Sequence, residues 1–187
     1  MPMLLAAFLG AAQAMPLPAP DLAGMVALYD ELCLRTFPID EQLDTLMARK
    51  GAKAMTPEQV KVTLRDDPGR GWFLKDASRT YSIVLELPPY HACSVRAGIG
   101  SGTPDLSGYR IVAAAFATDH KGFTAQKPVD ADAGDIHIHA ESDFRALPGG
   151  TGEHLMVIAQ TVINPARRAK GETGTELRFV HQIRGTR

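Results

Sequence analysis

Asp135-Ile136-His137-Ile138-His139-Ala140-Glu141-Ser142-Asp143-Phe144 alternates polar and apolar side chains through its first seven residues, and that alternation decides the fold. Successive side chains of a strand point to opposite faces, so a period of two marks an extended segment with one wetter face. Two more extended stretches follow, Glu153–Ile163 and Thr175–Ile183. Leu147-Pro148-Gly149-Gly150-Thr151-Gly152 separates the first two, and residues 164–174 separate the second from the third. Glycine-rich connections of this length join antiparallel neighbours, so the last third predicts a three-stranded meander.

Working upstream, Trp72 and Leu74, then Tyr81, Ile83, Leu85 and Leu87, alternate as two further strands around a turn at residues 76–79. His91–Arg96 resumes an extended segment that carries Cys93 and Val95. Before residue 60 the period is helical. Leu22, Met25, Leu28, Tyr29, Leu32 and Cys33 form one apolar face behind Asp21, whose carboxylate can cap the first free amides. Phe37-Pro38 ends this helix, because the residue before proline avoids α geometry. A second helix starts at Asp40, with Leu43, Leu46 and Met47 inward and Gly51 as its stop. Thr56-Pro57-Glu58-Gln59 reads either as a third cap or as the lead into an extended Val60–Leu64. Residues 105–120 predict a helix with Leu106, Tyr109, Val112, Ala113, Phe116 and Ala117 on one side.

These elements predict an α+β domain over residues 21–187: an antiparallel sheet of five to six strands, with two N-terminal helices and a third helix packed on one face. Residues 1–14 read as a secretory signal peptide, in which an apolar run from Leu4 leads into Ala12-Gln13-Ala14. The run is shorter than the roughly 20 apolar residues that span a bilayer. No Lys or Arg precedes it, which leaves room for a start upstream of Met1. Residues 15–20 form a proline-bearing flexible lead. The mature chain is therefore expected to be periplasmic or secreted, with no transmembrane segment. A net charge of −1 provides no general electrostatic pull on nucleic acid.

Cys33 and Cys93 are the two cysteines of the chain. In an oxidising compartment such a pair reads as one disulfide, worth about 4 kcal/mol for a loop of this size. Buried free thiols and a catalytic thiol are the alternatives, and neither cysteine sits in a C-x-x-C arrangement.

Three constellations carry possible chemistry. Asp135, His137, His139 and Glu141 would share one strand face, where two imidazoles and a carboxylate can reach a zinc or copper ion. His154 or His181 would complete the set if strand register brings one beside the pair. A wet strand face is the plain alternative. Asp130, Asp132, Gly134 and Asp135, with Glu141 following, partly match a calcium loop, but the glycine falls one place early and a strand follows where a helix belongs. Ser94 and Ser101 are conceivable nucleophiles with His91 as base, without any of the usual hydrolase motifs. The C-terminal part is locally basic, with Arg167, Arg168, Lys170, Arg178, Arg184 and Arg187 against Glu172 and Glu176. Such a stretch can meet an anionic envelope component or serve as a solvated edge.

With the first helix, Cys33-Leu34-Arg35-Thr36-Phe37-Pro38, Gly71-Trp72 and Cys93-Ser94-Val95 in place, the chain resembles small exported proteins of unknown function from Gram-negative bacteria. The resemblance covers the first half of the mature chain. It implies a periplasmic address and a disulfide between helix and sheet, and it carries no activity or catalytic residues. The functional expectation is a non-enzymatic binding or accessory domain without a cofactor, acting through a protein or envelope partner. The alternative is a metal-binding protein or metal-dependent enzyme built on His137 and His139.

Overall fold

The computed structural model describes residues 21–76, 79–100 and 103–185. The expected signal over residues 1–14, the lead over 15–20, Ser101 and Arg187 lie outside them. Among the described residues no helix is long and apolar enough to cross a membrane.

One antiparallel sheet of nine strands organises the described residues. Its members are β1 (Lys53–Ala54), β2 (Gly69–Lys75), β3 (Thr80–Glu86), β4 (Ala92–Gly98), β5 (Thr124–Ala125), β6 (Val129–Ala133), β7 (Ile136–Leu147), β8 (Thr151–Val162) and β9 (Thr175–Gly185). The spatial order is β1-β2-β3-β4-β9-β8-β7, and β5 and β6 both pair along the outer side of β7. The expected meander is present as β7, β8 and β9. The expected count of five to six strands is corrected to nine. β1 and β5 have two residues each, and β6 is exposed along its whole length, so no buried face imprints a period of two on them.

The helices are α1 (Ala23–Tyr29), α2 (Asp40–Arg49), α3 (Pro57–Leu64), α4 (Ser107–Asp119) and the short α5 (Pro165–Ala169). Asp21 accepts the Ala23 N–H at 2.9 Å, as its position before the apolar face suggested. α1 does not continue as an α-helix to Phe37. It widens into a π-helical turn, Asp30–Leu34, which buries Leu32, Cys33 and Leu34 in succession. The open choice at Thr56 resolves to helix. Its hydroxyl accepts the Gln59 N–H, and the Gln59 side chain accepts the Thr56 N–H.

α1, the π turn, α2 and α4 bury Met25, Tyr29, Leu32, Leu43, Met47 and Tyr109 against one sheet face. That face presents Ile83, Leu85, Val95, Leu155, Leu177 and Phe179, the alternate residues of β3, β4, β8 and β9. Tyr29 stacks edge-on to Phe179, with centroids 5.6 Å apart, and its hydroxyl donates to the Val180 carbonyl. Cys33 and Cys93 form a disulfide, both fully buried, and tie the π turn to β4.

α3 departs from the expectation of helices on one face. It lies on the reverse side, where Leu64 and Met55 cover Val84. Its approach requires glycine on β2. A Cβ on Gly69 would stand 2.4 Å from Leu64 Cδ1 and 2.5 Å from the Leu85 carbonyl oxygen. Gly69→Ala is therefore expected to destabilise by about 1–3 kcal/mol through overpacking. A urea midpoint equal to that of the parent would show that α3 does not seat so closely.

Candidate functional site

The helix-covered face contains a cavity of about 630 Å³. The π turn and residues 35–39 form one wall, α4 forms the other, and the ends of β7, β8 and β9 form the floor. Phe37, Ile39, Phe116, Leu147 and Ile183 supply apolar surface.

Three ionisable side chains, Glu153, His181 and Arg145, meet on that floor. Glu153 and His181 are 3% and 1% exposed, far below what unpaired ionisable groups tolerate. His181 Nε2 lies 2.6 Å from Glu153 Oε1, and His181 Nδ1 lies 2.6 Å from the Cys33 carbonyl oxygen. Arg145 Nε donates to the other carboxylate oxygen. Phe37 and Phe116 meet the imidazole edge-to-face at 4.9 and 5.1 Å, fixing its plane.

Proton placement follows from these partners. A neutral imidazole carries one N–H, yet both nitrogens of His181 face acceptors. Both contacts are satisfied only if the Glu153–His181 unit holds one more proton than a separate carboxylate and neutral imidazole. Burial works to raise the Glu153 pKa, but hydrogen bonds from His181 and Arg145, and their positive charge, bring it below the usual glutamate value. The Cys33 carbonyl belongs to the C-terminal turn of the first helix, where carbonyls lack intrahelical partners. The histidine thus joins that helix to β8 and β9.

Sequence reasoning named His181 only as a possible metal ligand, and it passed over Glu153 and Arg145. A signal was present. Glu153 shares a strand face with Leu155 and Val157, and His181 shares one with Leu177 and Phe179. Ionisable residues in step with buried apolar ones mark a paired interior site.

His137, His139 and Glu141 do share a face of β7, as the alternation required. Their surroundings differ from the expectation. β6 lies across from them, so that Asp132 is 2.7 Å from His137 Nδ1, and Asp130 is 3.2 Å from His137 Nε2 and 3.0 Å from His139 Nδ1. The hydrogen bond to Asp130 raises the His139 pKa, and the same bond lowers that of Asp130. This contribution of His139 is complete below the ordinary histidine value and fades as pH rises past the shifted one. Glu141 accepts from Arg110 on α4 at 3.0 Å.

Asp135 is not on β7; it occupies the β6–β7 turn and accepts from the Asn164 side chain. Register keeps His154 and His181 from the pair, since His139 lies opposite Ala159, His154 opposite Phe144 and His181 opposite Leu155. Among the described residues, no group of three or more His, Cys, Asp or Glu is arranged to hold a metal ion. The calcium-like segment folds as a two-residue hairpin with Gly134 at φ 61°, not as a loop leading into a helix.

His91 and Ser94 do not converge. His91 Nε2 is 2.8 Å from Asp40 Oδ1, whereas the Ser94 hydroxyl accepts from Arg96 on the reverse face of β4. Much of the basic C-terminal stretch is internally paired. Arg167 bonds Glu172, Arg178 bonds Glu176 and Gln160, and Arg184 lies over the Tyr90 ring.

Compared with family models, with curated proteins and with solved structures, the chain matches none, so its site is read from its own chemistry.

Proposed function

We propose that this is an exported, non-enzymatic binding protein that holds a small molecule in the cavity between the π turn and α4. The carrying observation is the cavity itself. It falls in the size range of ligand pockets, about 300–1,000 Å³, and combines apolar walls with a few converging polar groups. The buried disulfide supports an oxidising compartment, in keeping with the leader-like N-terminus. Binding is favoured over acid–base catalysis because the imidazole and carboxylate that could move a proton are already engaged with each other and with fixed partners. Both ring nitrogens of His181 are engaged, and the Thr36 hydroxyl at the wall donates to the Glu31 carbonyl at 2.8 Å.

Nile red, a neutral apolar dye, tests this reading. The oxidised protein is expected to bind it saturably at one site, with enhanced fluorescence. Ala115→Trp places a large side chain at the cavity wall from an exposed helix position, and it should weaken the dye by about tenfold or more while leaving the melt unchanged. Equal binding by the parent and Ala115→Trp would place the dye elsewhere and remove the support for a ligand cavity.

A further inference from the structure

The arrangement of Arg145 narrows the class of ligand, on the premise that the cavity is a binding site as proposed above. Arginine has five N–H donors in a planar fork, and only Nε is used on Glu153. Among the described residues, no acceptor is bonded to its terminal nitrogens. The guanidinium is held from two sides, by Glu153 and by the Phe123 ring, whose centroid lies 5.0 Å from Cζ. It lines the cavity with its side chain only 17% exposed. A fork pinned in this way on a cavity-lining residue, with no bonded acceptor on its terminal nitrogens among the described residues, matches a planar carboxylate that accepts two parallel hydrogen bonds.

Charge balance agrees. Asp30 is already paired with Arg35 at 2.5 Å, and Glu153 is paired with both His181 and Arg145. Arg145 is thereby the cavity-lining cation whose terminal donors are left without an acceptor among the described residues. Asp119, which also lines the cavity, adds a negative charge that opposes a doubly charged guest and favours a monoanion. Phe37, Phe116, Leu147 and Ile183 also line the cavity and offer apolar surface to a hydrocarbon body.

We infer that this cavity takes an amphipathic monocarboxylate, its carboxylate paired with the terminal nitrogens of Arg145 and its hydrocarbon part lying against Phe37, Phe116 and Ile183.

The test is displacement of Nile red from the oxidised parent by octanoate, methyl octanoate, octylammonium and octyl phosphate, repeated with Arg145→Gln. Octanoate is expected to compete at least about tenfold better than its neutral ester or the ammonium, the discrimination that a lost hydrogen bond to a charged group brings. That preference should vanish in Arg145→Gln. Because Arg145→Gln also removes a partner of buried Glu153, its fold is checked by its melt. If it does not fold, the four ligands on the parent still decide, together with calorimetry of octanoate on Arg145→Lys, where weaker binding is expected from loss of the two-pronged contact.

Equal competition by octanoate and methyl octanoate would overturn the carboxylate inference and leave the binding cavity standing. Tighter binding of octylammonium or octyl phosphate would overturn it in favour of a cation or a phosphate headgroup. Octanoate preference retained in a folded Arg145→Gln would move the anion contact elsewhere and overturn the assignment. Binding of neither dye nor octanoate would remove the cavity reading together with its ligand.

Discussion

Glu153→Ala is expected to destabilise the protein by about 3–5 kcal/mol, the usual cost of leaving buried charge without its partner. Glu153 accepts from His181 on one oxygen and from Arg145 on the other, and all three side chains are buried or nearly so. Truncation leaves the Arg145 guanidinium and the His181 imidazole without their shared carboxylate and opens a void beside Leu155. Urea unfolding at neutral pH, comparing parent with Glu153→Ala, measures the effect. A loss below about 1 kcal/mol would mean that water reaches Arg145 and His181 and that the floor is not buried as described.

The same carboxylate produces an acid limb. The folded-state pKa of Glu153 lies below its ordinary value, so its stabilisation is complete above that ordinary value. It is lost as pH falls through the folded-state value. Glu153→Gln, which cannot ionise, should remove this part of the acid dependence. An identical loss of stability between neutral and acid pH in both proteins would assign the limb to other groups.

Loss of the Cys33–Cys93 disulfide, in a Cys33→Ala/Cys93→Ala variant, is the second large effect expected, at about 2–5 kcal/mol. The bond closes a long loop and holds the π turn on β4 with both sulfurs buried. Its effect should extend to the cavity, since the Cys33 carbonyl is the acceptor for His181 Nδ1 and residues 35–39 leave directly from the π turn. The disulfide variant and Glu153→Ala therefore share His181, and their destabilisations should not add. Thermal and urea unfolding of the single, double and combined variants test both statements. Full additivity would show that the covalent tie and the charged floor act independently.

Much of the frame was legible in the chain because burial on one side leaves a periodic trace. β7, β8 and β9 follow the predicted alternation, and α2 starts at Asp40 and stops before Gly51 as its end signals indicate. The pairing of the cysteines was also readable, from their number and their setting on a helix face and a strand. β1, β5 and β6 were missed because two residues cannot show a period and an exposed edge strand has no apolar face to repeat. α5, with Asn164 as its cap, is a short turn within a loop and leaves no apolar stripe.

The candidate site was legible only in fragments. Local pattern drew attention to His137 and His139, whose pairing with Asp130 and Asp132 depends on β6 lying across from β7. Glu153, His181 and Arg145 lie far apart in sequence, and no spacing rule joins them.

Short-range sequence signals carried the longer elements, α1, α2, α4, β2 to β4 and β7 to β9, and which side of each is apolar. Those properties arise from neighbours a few residues apart, through caps, proline and glycine signals and the period of burial. Tertiary structure alone decided that α3 crosses to the reverse face and that β7 receives two short edge strands. It also decided that a helix carbonyl, a histidine, a glutamate and an arginine meet beneath a cavity. These outcomes depend on contacts between distant segments, where the need to pair each buried charge selects the register that local pattern leaves open.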